Sequence, residues 1–203
     1  MPKKFDENEK KQLQHKLLAA GRTLFSRYGF KKTTVGELAQ AAGIATGTFY
    51  LFYRSKEALF YDLMEQEEQH MQQTLIQQFA SGPPNKDAFR LFFRSSFDLI
   101  TESPILREVL LPSQRESILR HVPLERLNDN YDSDVQKLTP LIRHWQAHGV
   151  LRKDADPVLV ISTIRSVILL SLHKEAIGES VYDATMELMI TAIAEGMRPK
   201  EED

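Results

Sequence analysis

Apolar residues recur every three or four positions along most of this chain, and this helical spacing constrains its fold more than any other feature. No stretch alternates apolar and polar residues for long enough to predict a strand. Turn residues separate the periodic segments, including Gly29, Gly43 and the Ser-Gly-Pro-Pro-Asn sequence at residues 81–85. We therefore predict an all-α protein with nine to ten helices.

Side chains that cap helices predict where several of them begin. Asp6 with Glu9, and Thr34 with Glu37, form capping-box patterns that satisfy the free N–H groups of a first helical turn. Ser55 is placed to cap a long helix. The predicted helices span residues 7–28, 35–42, 46–53, 56–79, 86–102, 104–111, 113–120, 123–148, 157–177 and 180–197. The predicted buried face of the first helix comprises Leu13, Leu17, Ala20, Leu24, Phe25 and Tyr28.

Charge is distributed unevenly along the chain. Residues 1–60 hold eleven Lys and Arg against five Asp and Glu, whereas the remaining 143 residues hold 15 against 23. A basic unit followed by a larger acidic one indicates a polyanionic partner for the first part only. We expect a nucleic-acid-binding domain over residues 1–60 and a second helical domain over residues 61–203.

Composition and motifs exclude several classes of protein. The chain has no cysteine and is 42% hydrophobic and 27% charged, which is typical of a globular protein without disulfides. The longest apolar run, residues 158–172, is too short to span a membrane and contains Arg165. The amino terminus has no apolar signal segment, so we expect a cytoplasmic location. No HExxH, P-loop or GxSxG motif is present, and we predict neither an enzyme nor a cofactor.

The two short helices around Gly43 cannot bury much surface alone and need the first helix to complete a core. This arrangement predicts a helix-turn-helix, whose second short helix enters the major groove of DNA. Thr46, Gly47 and Thr48 begin that second helix and are small enough to allow close approach to base edges.

Four further residues are candidates for contacts with DNA phosphates. Tyr50 offers a hydroxyl, and Lys56 places an ammonium at the start of the long helix. Thr33 and Thr34 occupy the equivalent place at the start of the preceding helix. A purely structural three-helix packing is the alternative for this region.

Residues 18–60 resemble the DNA-binding domain of the TetR family of bacterial transcriptional regulators. Five sequence landmarks carry the resemblance, in order: LF…YGF at 24–30, TTV at 33–35, AGI at 42–44, GTFY at 47–50 and SKEAL at 55–59. Phe52 stands where the family often has Tyr or His, so Phe52 is not counted as a phosphate contact. The resemblance implies a homodimeric, ligand-responsive repressor that releases a palindromic double-stranded DNA operator when a small-molecule effector binds.

The resemblance also implies an effector site among the middle helices and a dimer interface on the last two. The effector-site candidates are Phe89, Phe93, Phe97, Trp145 and Arg165. The dimer-interface candidates are Ile161, Ile164, Ile168, Met186, Ile190 and Ile193. The spacing of the phenylalanines describes an ordinary core equally well, and Arg94, Arg107 and Arg165 face either an anionic ligand or internal acids.

Two other functions remain open at this point. One is an all-α small-molecule-binding protein or enzyme with a vestigial DNA-binding domain, and the other is a DNA-binding protein without an effector. His144 and His148 lie one helical turn apart, but no third ligand accompanies them, so we predict no metal site.

Overall fold

The computed structural model describes residues 5–109, 111–171 and 173–200, and these form eleven helices and no strand. The helices are α1 (Glu7–Tyr28), α2 (Val35–Ala41), α3 (Thr46–Phe49), α4 (Lys56–Ala80), α5 (Ala88–Glu102), α6 (Pro104–Glu108), α7 (Pro112–Leu119), α8 (Leu124–Ala147), α9 (Pro157–Ser171), α10 (Lys174–Ile177) and α11 (Tyr182–Gly196). The all-α prediction is confirmed. The eleven helices are one more than the upper end of the predicted nine to ten. The segment predicted as one helix over 157–177 is divided into α9 and α10, because His173 departs from helical backbone angles.

Both predicted capping boxes are present. The N–H of Glu9 donates to Asp6 Oδ1 over 2.7 Å, and the N–H of Asp6 donates to Glu9 Oε2 over 3.0 Å. At α2, the N–H of Thr34 donates to Glu37 Oε2 over 2.8 Å, and the N–H of Glu37 donates to Thr34 Oγ1 over 3.3 Å. The starts of these helices are therefore fixed by local hydrogen bonds that the sequence already specifies.

The chain forms two compact units. The amino-terminal unit contains the residues up to Glu68 together with Ser103–Val122, and the carboxy-terminal unit contains Gln69–Glu102 and the residues from Pro123 onward. The first unit therefore includes α6 and α7, which follow α5 in the sequence.

Aromatic rings fill the core of the amino-terminal unit. The rings of Phe25 and Phe30 each meet the ring of Phe60 edge to face, with centroids 5.1 and 5.0 Å apart. Leu17 of α1 is fully buried as predicted, and Leu38 of α2 is fully buried as well. Tyr28, which the periodicity also placed on the buried face, is instead 49% exposed at the last position of α1.

The carboxy-terminal unit has its own core, built mainly from α5, α8, α9 and α11. The ring of Trp145 is fully buried and lies edge-on to Phe89 and Phe92, with centroids 5.9 and 5.3 Å away. Gln146 joins α8 to the loop that follows, since its Nε2 donates to the carbonyl of Ala155 over 2.7 Å. Leu172, in the apolar run of the sequence, lies outside the described residues. Across the described ranges, no helix is long and apolar enough to cross a membrane.

Candidate nucleic-acid interface

A glycine with positive φ sets the direction in which α3 leaves α2. Gly43 has φ of 73°, and the N–H of the next residue, Ile44, donates to the carbonyl of Ala39 over 2.9 Å. A side chain at Gly43 would strain this left-handed turn. The short turn between the two helices, predicted from sequence, therefore rests on one backbone conformation.

Helix α3 buries one side and exposes the other. Phe49 is fully buried and Tyr53, one turn later, is also buried, whereas Thr46, Gly47 and Tyr50 are exposed. Helix α3 is shorter than the predicted 46–53, because the N–H groups of Leu51 and Phe52 donate to carbonyls three residues back rather than four. A Cβ added at Gly47 would meet no atom within 4 Å, so the surface at the start of α3 is open.

Four of the seven predicted DNA contacts surround one shallow depression of about 390 Å³. They are Thr33, Thr34, Tyr50 and Lys56. The remaining three, Thr46, Gly47 and Thr48, lie along α3 itself. The structure thus brings the candidates for phosphate contact together and places the candidates for base contact on the neighbouring helix.

The two threonines at the start of α2 already use their hydroxyls within the chain. Thr33 is buried, and its hydroxyl donates to the carbonyl of Gly29 over 2.9 Å. The Thr34 hydroxyl donates to Glu37 Oε2 over 2.8 Å, and this bond is the main reason that the pKa of Glu37 is lowered. Both threonines therefore hold the turn before α2 in shape.

The ammonium of Lys56 binds the loop between α1 and α2. Its Nζ donates to the carbonyls of Phe30 and Thr33, both over 2.9 Å, and lies 4.5 Å from the centroid of the Phe30 ring. Burial lowers the pKa of Lys56 from its ordinary value. The N–H groups of this lysine thus hold the loop, while its positive charge adds to the field of the depression.

Two exposed cations that the sequence analysis did not single out line the same depression, namely Lys31 and Arg54. In the sequence, only the basic excess of residues 1–60 indicated these cations. That excess describes the whole segment and does not single out individual residues. Glu57 is the one acid among the nine lining residues, so the depression carries more positive than negative charge. Such a surface attracts phosphate.

The predicted effector-site residues divide into two groups. Phe89, Phe93 and Trp145 are buried together, with Phe89 contacting both of the other rings. Phe97 contacts Tyr182 instead, and Arg165 lies over the ring of Tyr131. The first three rings are therefore part of the core in this structure.

Internal acids pair with two of the three arginines that sequence reasoning left undecided. Arg165 binds Asp134, and Arg94 binds Glu187 and also Asp98 over 3.2 Å. Arg107 is exposed on α6.

Four of the six predicted dimer-interface residues face the core of their own chain. Ile161, Ile164, Met186 and Ile190 are buried within the carboxy-terminal unit, and Ile168 and Ile193 are partly buried against it. Helices α9 and α11 are apolar on more than one side, so periodicity alone does not tell the inward side from the outward one. The large apolar side chains that are exposed on the described residues of these helices are Val158, Leu159, Leu169, Leu170 and Leu188.

Comparisons with known proteins agree with this geometry. The family model for bacterial regulatory proteins of the tetR family matches residues 17–63. YfiR of Bacillus subtilis, an uncharacterized HTH-type transcriptional regulator, is 24% identical over 98% of this chain and 94% of its own length. YerO of the same species, also an uncharacterized HTH-type transcriptional regulator, is 29% identical over 54% of this chain, and the match spans only 39% of YerO.

A solved structure extends the likeness to the whole fold. The crystal structure of a TetR-family transcriptional regulator from Pectobacterium atrosepticum superposes with a TM-score of 0.75. Its sequence is 22% identical, and the superposition covers 98% of this chain and all of the other. With the helix-turn-helix and the five landmarks, these likenesses show that residues 17–63 are similar to the DNA-binding part of the tetR family of bacterial regulatory proteins, and that the whole chain shares its fold with a TetR-family transcriptional regulator.

Proposed function

We propose that this protein binds a near-palindromic DNA operator as a homodimer and represses transcription until a small molecule binds. The observation that carries the DNA-binding part is the depression beside α3. It gathers Thr33, Thr34, Tyr50 and Lys56 next to a helix whose outer surface is open.

In this proposal, α3 enters the major groove and the depression receives the adjoining phosphates. Tyr50 is 55% exposed, so its hydroxyl is available to donate to a phosphate oxygen. Lys31 and Arg54 supply charge, and Lys56 keeps the loop of Thr33 and Thr34 in position. Two such units related by a two-fold axis would read two half-sites about 34–36 Å apart.

Selection of bound fragments from random duplex DNA tests this function, with the purified protein at two salt concentrations. Enrichment of a palindromic site is expected for the wild type. Tyr50→Phe removes one hydroxyl and is expected to weaken binding to all sequences while leaving the base preference unchanged. Tyr28→Phe, which removes an exposed hydroxyl from α1, is the matched control and is expected to bind as the wild type does. A folded protein that enriches no site would refute the proposal.

The homodimer is supported by the exposed sides of α9 and α11. Leu159, Leu170 and Leu188 are apolar side chains of these helices that face away from the core. Paired helices from two copies would bury them in a four-helix arrangement. We assign the interface to these outward residues rather than to the buried Ile161, Ile164, Met186 and Ile190, with Ile168 and Ile193 at its margin.

The ligand response is supported by a buried polar atom in the aromatic core. Nε1 of Trp145 is buried and has no hydrogen-bond partner among the described residues. A buried N–H without a partner is unfavourable, and an acceptor atom on an effector would relieve that cost. Opening of the rings around Trp145 would admit an apolar effector carrying such an acceptor and favour a dimer whose half-site spacing no longer fits the operator.

Fluorescence of Trp145 tests the ligand response directly, because the chain has a single tryptophan. Apolar compounds with a hydrogen-bond acceptor would be titrated while both the emission and operator binding are followed. The compounds that release DNA are expected to change the emission. Trp145→Phe keeps a ring in the core and is expected to release DNA only at higher compound concentration. Release at unchanged concentration in that variant would rule out the indole N–H as a contact.

A further inference from the structure

Leu51 is an apolar side chain in an unusual place. It lies two residues after the end of α3 and is 68% exposed, although large apolar side chains at most other positions of the amino-terminal unit are buried or partly buried. No hydrogen-bonding group or charge on this side chain explains its position, and its exposure costs free energy in the isolated protein.

The backbone shows which way Leu51 faces. Its N–H donates to the carbonyl of Thr48 over 3.1 Å, so the helical turn continues through it. Bonds between residues three apart form a 3₁₀-like turn, in which residues two apart differ by about 240° around the axis. Leu51 therefore does not share the direction of the fully buried Phe49, and its exposure places it on the outward side of the turn that follows α3.

Gly47 lies four residues before Leu51 and is also exposed. Gly47 has no side chain and the space around it is open, so Leu51 and Tyr50 are the large exposed side chains here. Thr48 is half-buried beside it, and Tyr50 flanks it on the side of the depression. The outward surface just after α3 is thus aliphatic at Leu51.

We infer that Leu51 reads the C5-methyl group of thymine in the major groove. The thymine methyl is the only apolar group that base pairs display there, and an aliphatic side chain has no means of binding the donor and acceptor groups of the other bases. Contact between the two removes both apolar surfaces from water. The inference rests on the proposed function and adds a base-specific contact to it.

Substitution of deoxyuridine for thymine tests the contact, because it removes the methyl group and leaves base pairing intact. In the operator obtained by selection, one thymine position at a time would be replaced by deoxyuridine, in both half-sites together. The dissociation constant of each operator would then be measured for the wild type and for Leu51→Ala. For the wild type, replacement at one thymine position is expected to reduce the affinity about fourfold per half-site, which is the value of one methyl-sized contact. For Leu51→Ala, the thymine and deoxyuridine operators are expected to bind equally at that position.

Leu124→Ala is the matched control, because Leu124 is 72% exposed at the start of α8 in the other unit. It is expected to keep the full deoxyuridine penalty. The inference is overturned if Leu51→Ala retains the penalty, if no thymine shows one, or if the half-site contains no thymine. The two hypotheses fail separately, since the absence of any selected operator contradicts the proposed function, whereas a selected operator without a Leu51-dependent penalty contradicts only this contact.

Discussion

Lys56 occupies a position where a single side chain has two tasks. Its ammonium donates to main-chain oxygens of the loop between α1 and α2, and its charge adds to the surface proposed to meet phosphate. Arg54 lines the same depression and is exposed. The two cations allow loop positioning and electrostatic attraction to be measured separately.

Lys56→Gln is expected to destabilise the fold by about 1–2 kcal/mol, because charged hydrogen bonds to the loop carbonyls are lost. Denaturation by urea, followed by circular dichroism, measures this change. Lys56→Arg keeps the charge and is expected to recover only part of the stability, since the planar guanidinium differs in shape from an ammonium. Unchanged stability in Lys56→Gln would mean that its bonds to the loop are not significant in solution.

Arg54→Gln is expected to leave stability unchanged and to reduce the salt dependence of DNA binding. The slope of log K against log salt concentration should become shallower by about one, the value for one lost phosphate contact. Fluorescence anisotropy with an unrelated duplex suffices, because this contribution does not depend on sequence. Arg120→Gln, at the end of α7, is the control, and an equal slope for both variants would contradict the placement of Arg54 at the DNA.

At the scale of elements, the short helix α2 depends on its amino-terminal cap. Glu37 accepts bonds from both the hydroxyl and the N–H of Thr34, and these bonds lower the pKa of the carboxylate. The folded protein therefore binds this proton less readily than the unfolded chain does. The ionised Glu37 therefore stabilises the fold fully when the pH is above 4.5, the ordinary pKa of this carboxylate. This stabilisation is lost as the pH falls through the lowered pKa of the folded protein.

Glu37→Gln is expected to remove this part of the pH dependence. The difference in free energy of unfolding between wild type and variant should be constant at neutral pH and shrink as the pH falls below 4.5. Denaturant unfolding at a series of pH values measures it, and Glu116→Gln on α7 serves as an exposed control. A difference that stays constant down to the acid limit would show that the carboxylate is not stabilised by Thr34.

Local signals explain which elements were predictable from sequence. Asp6, Thr34 and Ser55 each bond to an N–H three residues away, so the starts of α1, α2 and α4 could be read from short stretches. The bonds of Lys56 span 23 and 26 residues and have no local signature. Likewise, the sequence of α9 is apolar on two sides. Which of them is outward depends on the neighbouring helices that cover the other one, and these neighbours have no signature in the sequence of α9.

At the scale of the whole molecule, the proposed dimer has a direct test. Leu188 is 69% exposed on α11, and Leu188→Asp would place a charge in the proposed interface. We expect this variant to be monomeric at micromolar concentration and to lose affinity for the palindromic operator. Sedimentation equilibrium measures the mass. Leu124→Asp is the control, and a Leu188→Asp protein that remains dimeric would place the interface elsewhere.

The division of the chain into units affects how such a regulator can be recombined. The chain passes from one unit to the other three times, because Ser103–Val122 belongs with the amino-terminal residues. That segment contributes Ile105, Leu106 and Ile118, all buried. A chimaera with a single junction after α4 would therefore combine the residues up to α4 of one protein with α6 and α7 of another. Chimaeras that exchange DNA specificity between relatives need two further junctions, at the ends of this segment, to preserve the core of the amino-terminal unit.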